Sequence, residues 1–145
     1  MIENDFFANL ATSWPGHEGQ VPTPLIYAYL GDAVFELLVR SYLVKQKPRK
    51  INKLHQEAVQ LVCARQQKRF LEKVEPVLNE EEKDIIRRAR NCKPRHIPNN
   101  VSGEDYAAST SFEALFGYLY LHGRGRRLRE IATLILDDYF TETGE

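Results

Sequence analysis

A chain of 145 residues supports one hydrophobic core and leaves little room for a second. Its 43% hydrophobic and 28% charged residues exclude disorder on the scale of the whole chain. The 20 basic and 20 acidic residues cancel, so net charge gives no pointer to a partner.

The first seven residues, Met1-Ile-Glu-Asn-Asp-Phe-Phe7, are acidic and lack the basic start and apolar stretch of a secretory signal. Trp14 to Pro24 carries Pro15, Gly16, Gly19, Pro22 and Pro24 and reads as loop. A helix then begins with Thr23 as N-cap and Pro24 at its first position. Ile26, Leu30, Ala33, Val34, Leu37 and Leu38 recur at three- and four-residue steps, which predicts one buried stripe. This is the most apolar part of the chain, but Asp32, Glu36 and Arg40 interrupt it and argue against a membrane span.

After Pro48, Ile51, Leu54, Ala58, Leu61 and Val62 predict a second helix. Near Ala64 a third takes over with Phe70, Leu71 and Val74. Asn79 and Glu82 are spaced as a capping box for a fourth helix ending around Asn91. Cys92 to Gly103, with Pro94 and Pro98, is predicted loop. Ser102 and Asp105 then cap a helix through Phe112, Leu115 and Leu119 that Gly123 stops. Leu128, Ile131, Leu134 and Ile135 mark a last helix. No stretch alternates as a strand does, so the predicted fold is all-α.

Charge is unevenly spread: Arg40 to His96 holds 16 Lys/Arg against 7 Asp/Glu, a surplus of nine positive charges. Such a surplus gives a face that attracts phosphates, or simply a solvated helix face. Cys63 and Cys92 have no metal-ligand spacing and read as reduced thiols, in keeping with a soluble cytoplasmic protein.

Two helices hold an acid in apolar company: Asp32 in Leu30-Gly-Asp-Ala-Val-Phe-Glu36, and Glu113 in Ser111-Phe-Glu-Ala-Leu-Phe-Gly117. Burying a carboxylate is costly unless it is paired or binds a metal. Gly31 and Gly117 each cost a helix about 1 kcal/mol relative to Ala, so small residues here suggest close approach of another backbone or a ligand. Either motif alone is equally a solvated acid beside an incidental glycine; two such motifs favour a site.

Leu30-Gly-Asp-Ala-Val-Phe-Glu-Leu37 resembles the signature of the ribonuclease III catalytic domain, and Ser111-Phe-Glu-Ala-Leu-Phe-Gly-Tyr-Leu-Tyr120 resembles its second catalytic helix. Leu54-His55, Arg88-Ala-Arg-Asn91 and the Lys/Pro-containing loop after them resemble one branch, the Mini-III ribonucleases, which lack a double-stranded-RNA-binding domain. The resemblance covers roughly Pro24 to Tyr139. It implies a helical bundle like the ribonuclease III endonuclease domain, a single domain over residues 1–145 with its core at about 24–139.

The resemblance further implies a magnesium-dependent endoribonuclease, with manganese as a possible substitute, that cleaves double-stranded RNA as a homodimer. Asp32 and Glu113 match the catalytic, magnesium-binding carboxylates. The family's other two acids fall at positions held here by Ala28 and Thr110, which implies weaker metal binding. Glu36 ranks below as an assisting ligand. Precursor 23S ribosomal RNA is the expected substrate. Duplex RNA is read by shape, phosphates and 2′-hydroxyls. The candidate contacts are Arg87, Arg88, Arg90, Lys93, Arg95 and His96, with His55 as a further one.

His17 and His122 read as surface residues, Tyr118 and Tyr120 as core or interface, and Arg124, Arg126, Arg127 and Arg129 as a helix-junction cluster or a second RNA contact. Two competing functions remain at this point: a ribonuclease III-like module that binds RNA without cutting it, and a helical dimerisation module whose acids are structural.

Overall fold

Local signals place the starts of three helices in the computed structural model, which describes residues 16, 21–92 and 96–142. In chain order the helices are α1 (Pro24–Gln46), α2 (Ile51–Val62), α3 (Ala64–Val74), α4 (Glu80–Arg90), α5 (Gly103–Leu121) and α6 (Gly125–Glu142), with a 3-10 turn at Glu75–Val77. No strand occurs among the described residues, so the fold is all-α. Most of the proline-rich stretch before Thr23 lies outside the described residues, as do Lys93 and Arg95.

The caps are those the sequence calls for. Thr23 Oγ1 accepts the Ile26 N–H at 3.4 Å, with Pro24 first in the helix. Asn79 and Glu82 form a reciprocal capping box at 2.9 and 3.0 Å. Ser102 Oγ accepts the Asp105 N–H at 3.0 Å. Past the end of α5, Gly123 adopts φ 72°, a left-handed conformation that glycine takes without strain.

α1 buries a different face from the predicted one. Tyr27, Ala28, Gly31, Phe35, Val39 and Leu43 face the core, whereas Ile26 and Leu37 are 55% and 48% exposed, Ala33 is open, and Leu30, Val34 and Leu38 are only half-buried. The helix is apolar around most of its circumference, so periodicity cannot select a face; close packing selects it. Its partner is α5, the central helix, whose Phe112, Ala114, Leu115, Phe116 and Leu119 are fully buried. Phe35 lies 4.8 Å from Phe112 and 5.1 Å from Phe116, ring centre to ring centre. Gly31 and Gly117 permit this approach. A Cβ built on Gly31 would lie 1.6 Å from the Glu113 carbonyl oxygen, and one on Gly117 would lie 1.9 Å from that of Tyr27.

α6 is tied to α4 by a buried charge. Glu82 is fully buried; its Oε2 accepts from Arg127 Nε at 2.8 Å, and its Oε1 from Arg127 Nη2 at 2.9 Å and from the Asn79 N–H. Burial works to raise the Glu82 carboxyl, but the Arg127 guanidinium and the Asn79 N–H outweigh it and hold it below the usual carboxylate range. Arg127→Met strands this carboxylate and is expected to destabilise the protein by about 3–5 kcal/mol, read as a lower denaturant midpoint at pH 7. Because the folded Glu82 is depressed, the loss should shrink as pH falls through the ordinary carboxylate range. A loss below about 1 kcal/mol would show that the pair adds little.

Candidate active site

Residues in the first half of α1 and the second half of α5 meet because the two helices cross in opposite senses: Phe35 packs on Phe112, Gly31 on Glu113 and Gly117, and Tyr27 on Tyr118. The glycine contact therefore brings Asp32, next to Gly31, beside Glu113. Asp32 is open to solvent, and Glu113 is half-buried. Ser109, one turn earlier on α5, donates from Oγ towards Glu113 Oε1 at 3.1 Å, and the same Oγ lies 2.8 Å from Gln67 Oε1 on α3.

Burial, then the charge of Asp32 and a hydrogen bond with it, push the Glu113 carboxyl up to about 8, against the opposing Ser109 bond. Two neighbouring carboxylates, one of them half-buried, form a site that a divalent cation would relieve. No third His, Cys, Asp or Glu joins them among the described residues. Two carboxylates suit a hard cation that keeps several waters, such as magnesium, and do not suit a closed all-protein cage.

A stability test follows from the raised carboxyl. An unfolded Glu titrates near 4.5 and the folded Glu113 near 8, so between these values the folded state holds the extra proton and loses stability as pH rises. Metal-free Glu113→Gln should match the native protein at pH 4.5 and exceed it in denaturant midpoint at pH 8. Parallel stability curves would contradict the raised pKa.

The other candidates are dispersed. Glu36 pairs with Arg40 at 2.8 Å on the outer side of α1. Ala28 is buried, and the Thr110 hydroxyl donates to the Tyr106 carbonyl at 2.9 Å, so neither adds a charge to the pair. Arg87 pairs with Asp84, and Arg90 with Glu75 at 3.2 Å. Arg88 is exposed on α4, and its charge reaches Tyr27 on α1. His96 is exposed. His55 is exposed on α2 beside a groove of about 130 Å³ lined by Arg40, Val44 and Ile51.

Sequence reasoning missed the connection of His122, which caps α5. Its Nε2 lies 3.1 Å from the Tyr27 hydroxyl and its ring 4.3 Å from that of Tyr118. Burial and then Arg124 keep His122 below its ordinary pKa. Tyr27 and His122 are 95 positions apart, and only the helix crossing joins them. Arg124 grips Glu81 at 2.7 Å and Arg127 grips Glu82, so these two arginines serve the helix junction.

An all-α bundle with this carboxylate pair matches the family described as "Ribonuclease III domain" over residues 25–124. The chain is 42% identical over 117 residues to the Mini-ribonuclease 3 of Clostridium tetani, covering 80% of this chain and 78% of the relative. It is 45% identical over 112 residues to that of Thermoanaerobacter sp., covering 77% and 79%. A solved Fusobacterium nucleatum protein superposes with a TM-score of 0.76 at 28% identity, covering 86% of this chain and 99% of that one. The chain belongs to the ribonuclease III family and, within it, to the Mini-ribonuclease 3 branch. It is an endoribonuclease, which displaces the two non-catalytic alternatives. No helix among the described residues is long and apolar enough to cross a membrane.

Proposed function

We propose that residues 1–145 act as one catalytic domain that cleaves double-stranded RNA with magnesium held between Asp32 and Glu113. The observation that carries this reading is the pairing of these two carboxylates at a glycine crossing, with Glu113 half-buried and its carboxyl pushed up by burial and by Asp32. When bound there, magnesium, or manganese in its place, would acidify the attacking water and offset charge developing on the phosphate. Asp32 offers its carboxylate from the solvent side. Glu113 offers one from the protein side, its Oε1 facing Ser109.

Duplex RNA presents phosphates and 2′-hydroxyls rather than readable base edges. Arg88 and His96, both exposed, are the described residues best placed to meet them; Arg87 and Arg90 would first exchange their acidic partners for phosphate. Lys93 and Arg95 belong to the same loop by sequence, and His55 is a more distant contact. Glu36 assists only if it leaves Arg40. The expected substrate is precursor 23S ribosomal RNA in the cytoplasm, which rests on the family resemblance.

The working form is a homodimer through the outer face of α1. Leu30, Ala33, Val34, Leu37 and Leu38, with Tyr120 and Leu128, line an apolar groove of about 510 Å³ next to Asp32. A second copy of that face would cover it and set two carboxylate pairs in one particle. Sedimentation should give twice the monomer mass, and Leu37→Asp should reduce it to the monomer. An unchanged mass for Leu37→Asp would move the interface elsewhere.

The function is tested with a labelled RNA duplex and its separated strands, with magnesium and with chelator. Cleavage of duplex only, and only with magnesium, is the expected result. Equal cutting of single strands, or cutting in chelator, would overturn the reading.

A further inference from the structure

Gln67 is 2% exposed on α3 and Ser109 is 8% exposed on α5. Burying an amide and a hydroxyl is costly unless each finds a partner, and these two find each other at 2.8 Å. The same hydroxyl oxygen lies 3.1 Å from Glu113 Oε1. A serine hydroxyl has one proton and cannot donate to both neighbours. A half-turn of the Gln67 amide resolves this, placing its NH2 towards Ser109. Gln67 then donates to Ser109 Oγ, and Ser109 donates its only proton to Glu113 Oε1.

The two helices meet through buried packing. Phe70 on α3 lies 6.2 Å from Phe112 on α5, ring centre to ring centre, and both are buried. This packing keeps Gln67 beside Ser109, and the exposed pair of Lys68 with Glu104 at 2.8 Å adds little to it. Glu113 has three rotatable side-chain bonds, and an unheld carboxylate would sample orientations that do not face Asp32. Holding Oε1 leaves Oε2 as the oxygen free to face the neighbouring acid. Thr110 and Ser111, the other hydroxyls on this turn, are turned back to the Tyr106 and Ala107 carbonyls and give Glu113 no such support.

We infer that Gln67, acting through Ser109, is a positioning residue that fixes the Glu113 carboxylate in its metal-holding orientation. The inference rests on Glu113 as a metal ligand, the reading proposed above.

The test compares Gln67→Leu, Ser109→Ala, the double variant and Glu113→Gln. The readouts are kcat and KM on duplex RNA, manganese affinity by calorimetry without RNA, and unfolding midpoint. Each single variant should lower kcat about tenfold and weaken manganese binding about tenfold, with KM unchanged. The double variant should fall no further than either single one, because the two residues act in series. Ser109→Ala, which removes one oxygen from a helix, carries the test should Gln67→Leu fail to fold. A lower unfolding midpoint with native kcat and native manganese affinity would assign the pair to packing and overturn the inference. Losses that multiply in the double variant would overturn it too. If Glu113→Gln retained cleavage and manganese binding, the ligand assignment itself would fall, taking this inference with it; Glu113→Gln inactive beside unaffected Gln67 and Ser109 variants would reject the inference alone.

Discussion

Asp32→Asn and Glu113→Gln are each expected to lower kcat for duplex cleavage by about 100-fold or more, with KM little changed. Both substitutions keep size and shape and remove one negative oxygen from a pair that no third acid joins among the described residues. Losing a ligand forfeits several kcal/mol of transition-state stabilisation, and about 1.4 kcal/mol is tenfold in rate. The duplex contacts proposed above are basic residues and not the two acids, so KM is insulated. Combining the two substitutions should cost little more than either alone, because both disable one unit. The Glu113→Gln protein should meanwhile be the more stable at pH 8, so its inactivity cannot be laid to unfolding. A loss of less than about threefold in either variant would remove that residue from the site.

Gly31→Ala should damage fold and activity together. The added methyl would lie 1.6 Å from the Glu113 carbonyl oxygen and 2.8 Å from the Gly117 nitrogen, both backbone atoms with no flexible tip to move aside. Relief requires α1 and α5 to separate, which opens the packing of Phe35 on Phe112 and Phe116 and draws Asp32 away from Glu113. Overpacking of this severity costs about 3 kcal/mol or more, well above the gain of about 1 kcal/mol from replacing a helical glycine. The thermal midpoint should fall by about 10 °C. Gly103→Ala is the control, since its Cβ would meet only Ile97 Cδ1 at 3.9 Å. Equal midpoints for the two variants would show that the crossing adapts.

What was legible in the sequence follows from how far each interaction reaches along the chain. Thr23, Asn79–Glu82 and Ser102 act within three residues, so spacing alone reveals their caps. Asp32 and Glu113 were legible as acids among apolar residues, and their glycines as a sign of close approach. The buried face of α1 was not, because leucines on its outer side imitate a core stripe. Glu82 reads as one of three acids in a first turn, and nothing local reveals Arg127, 45 positions away, as its partner. Gln67 looks like any polar residue on a charged helix; its burial appears only when α3 packs on α5.

The central claim is that one cation is shared by Asp32 and Glu113, and electron paramagnetic resonance of bound manganese tests it most directly. Titrated without RNA, the native protein should bind manganese at one site per chain. Asp32→Asn and Glu113→Gln should each abolish that site rather than halve the number bound. Native stoichiometry and affinity in either variant would contradict a shared site and return that carboxylate to a structural role.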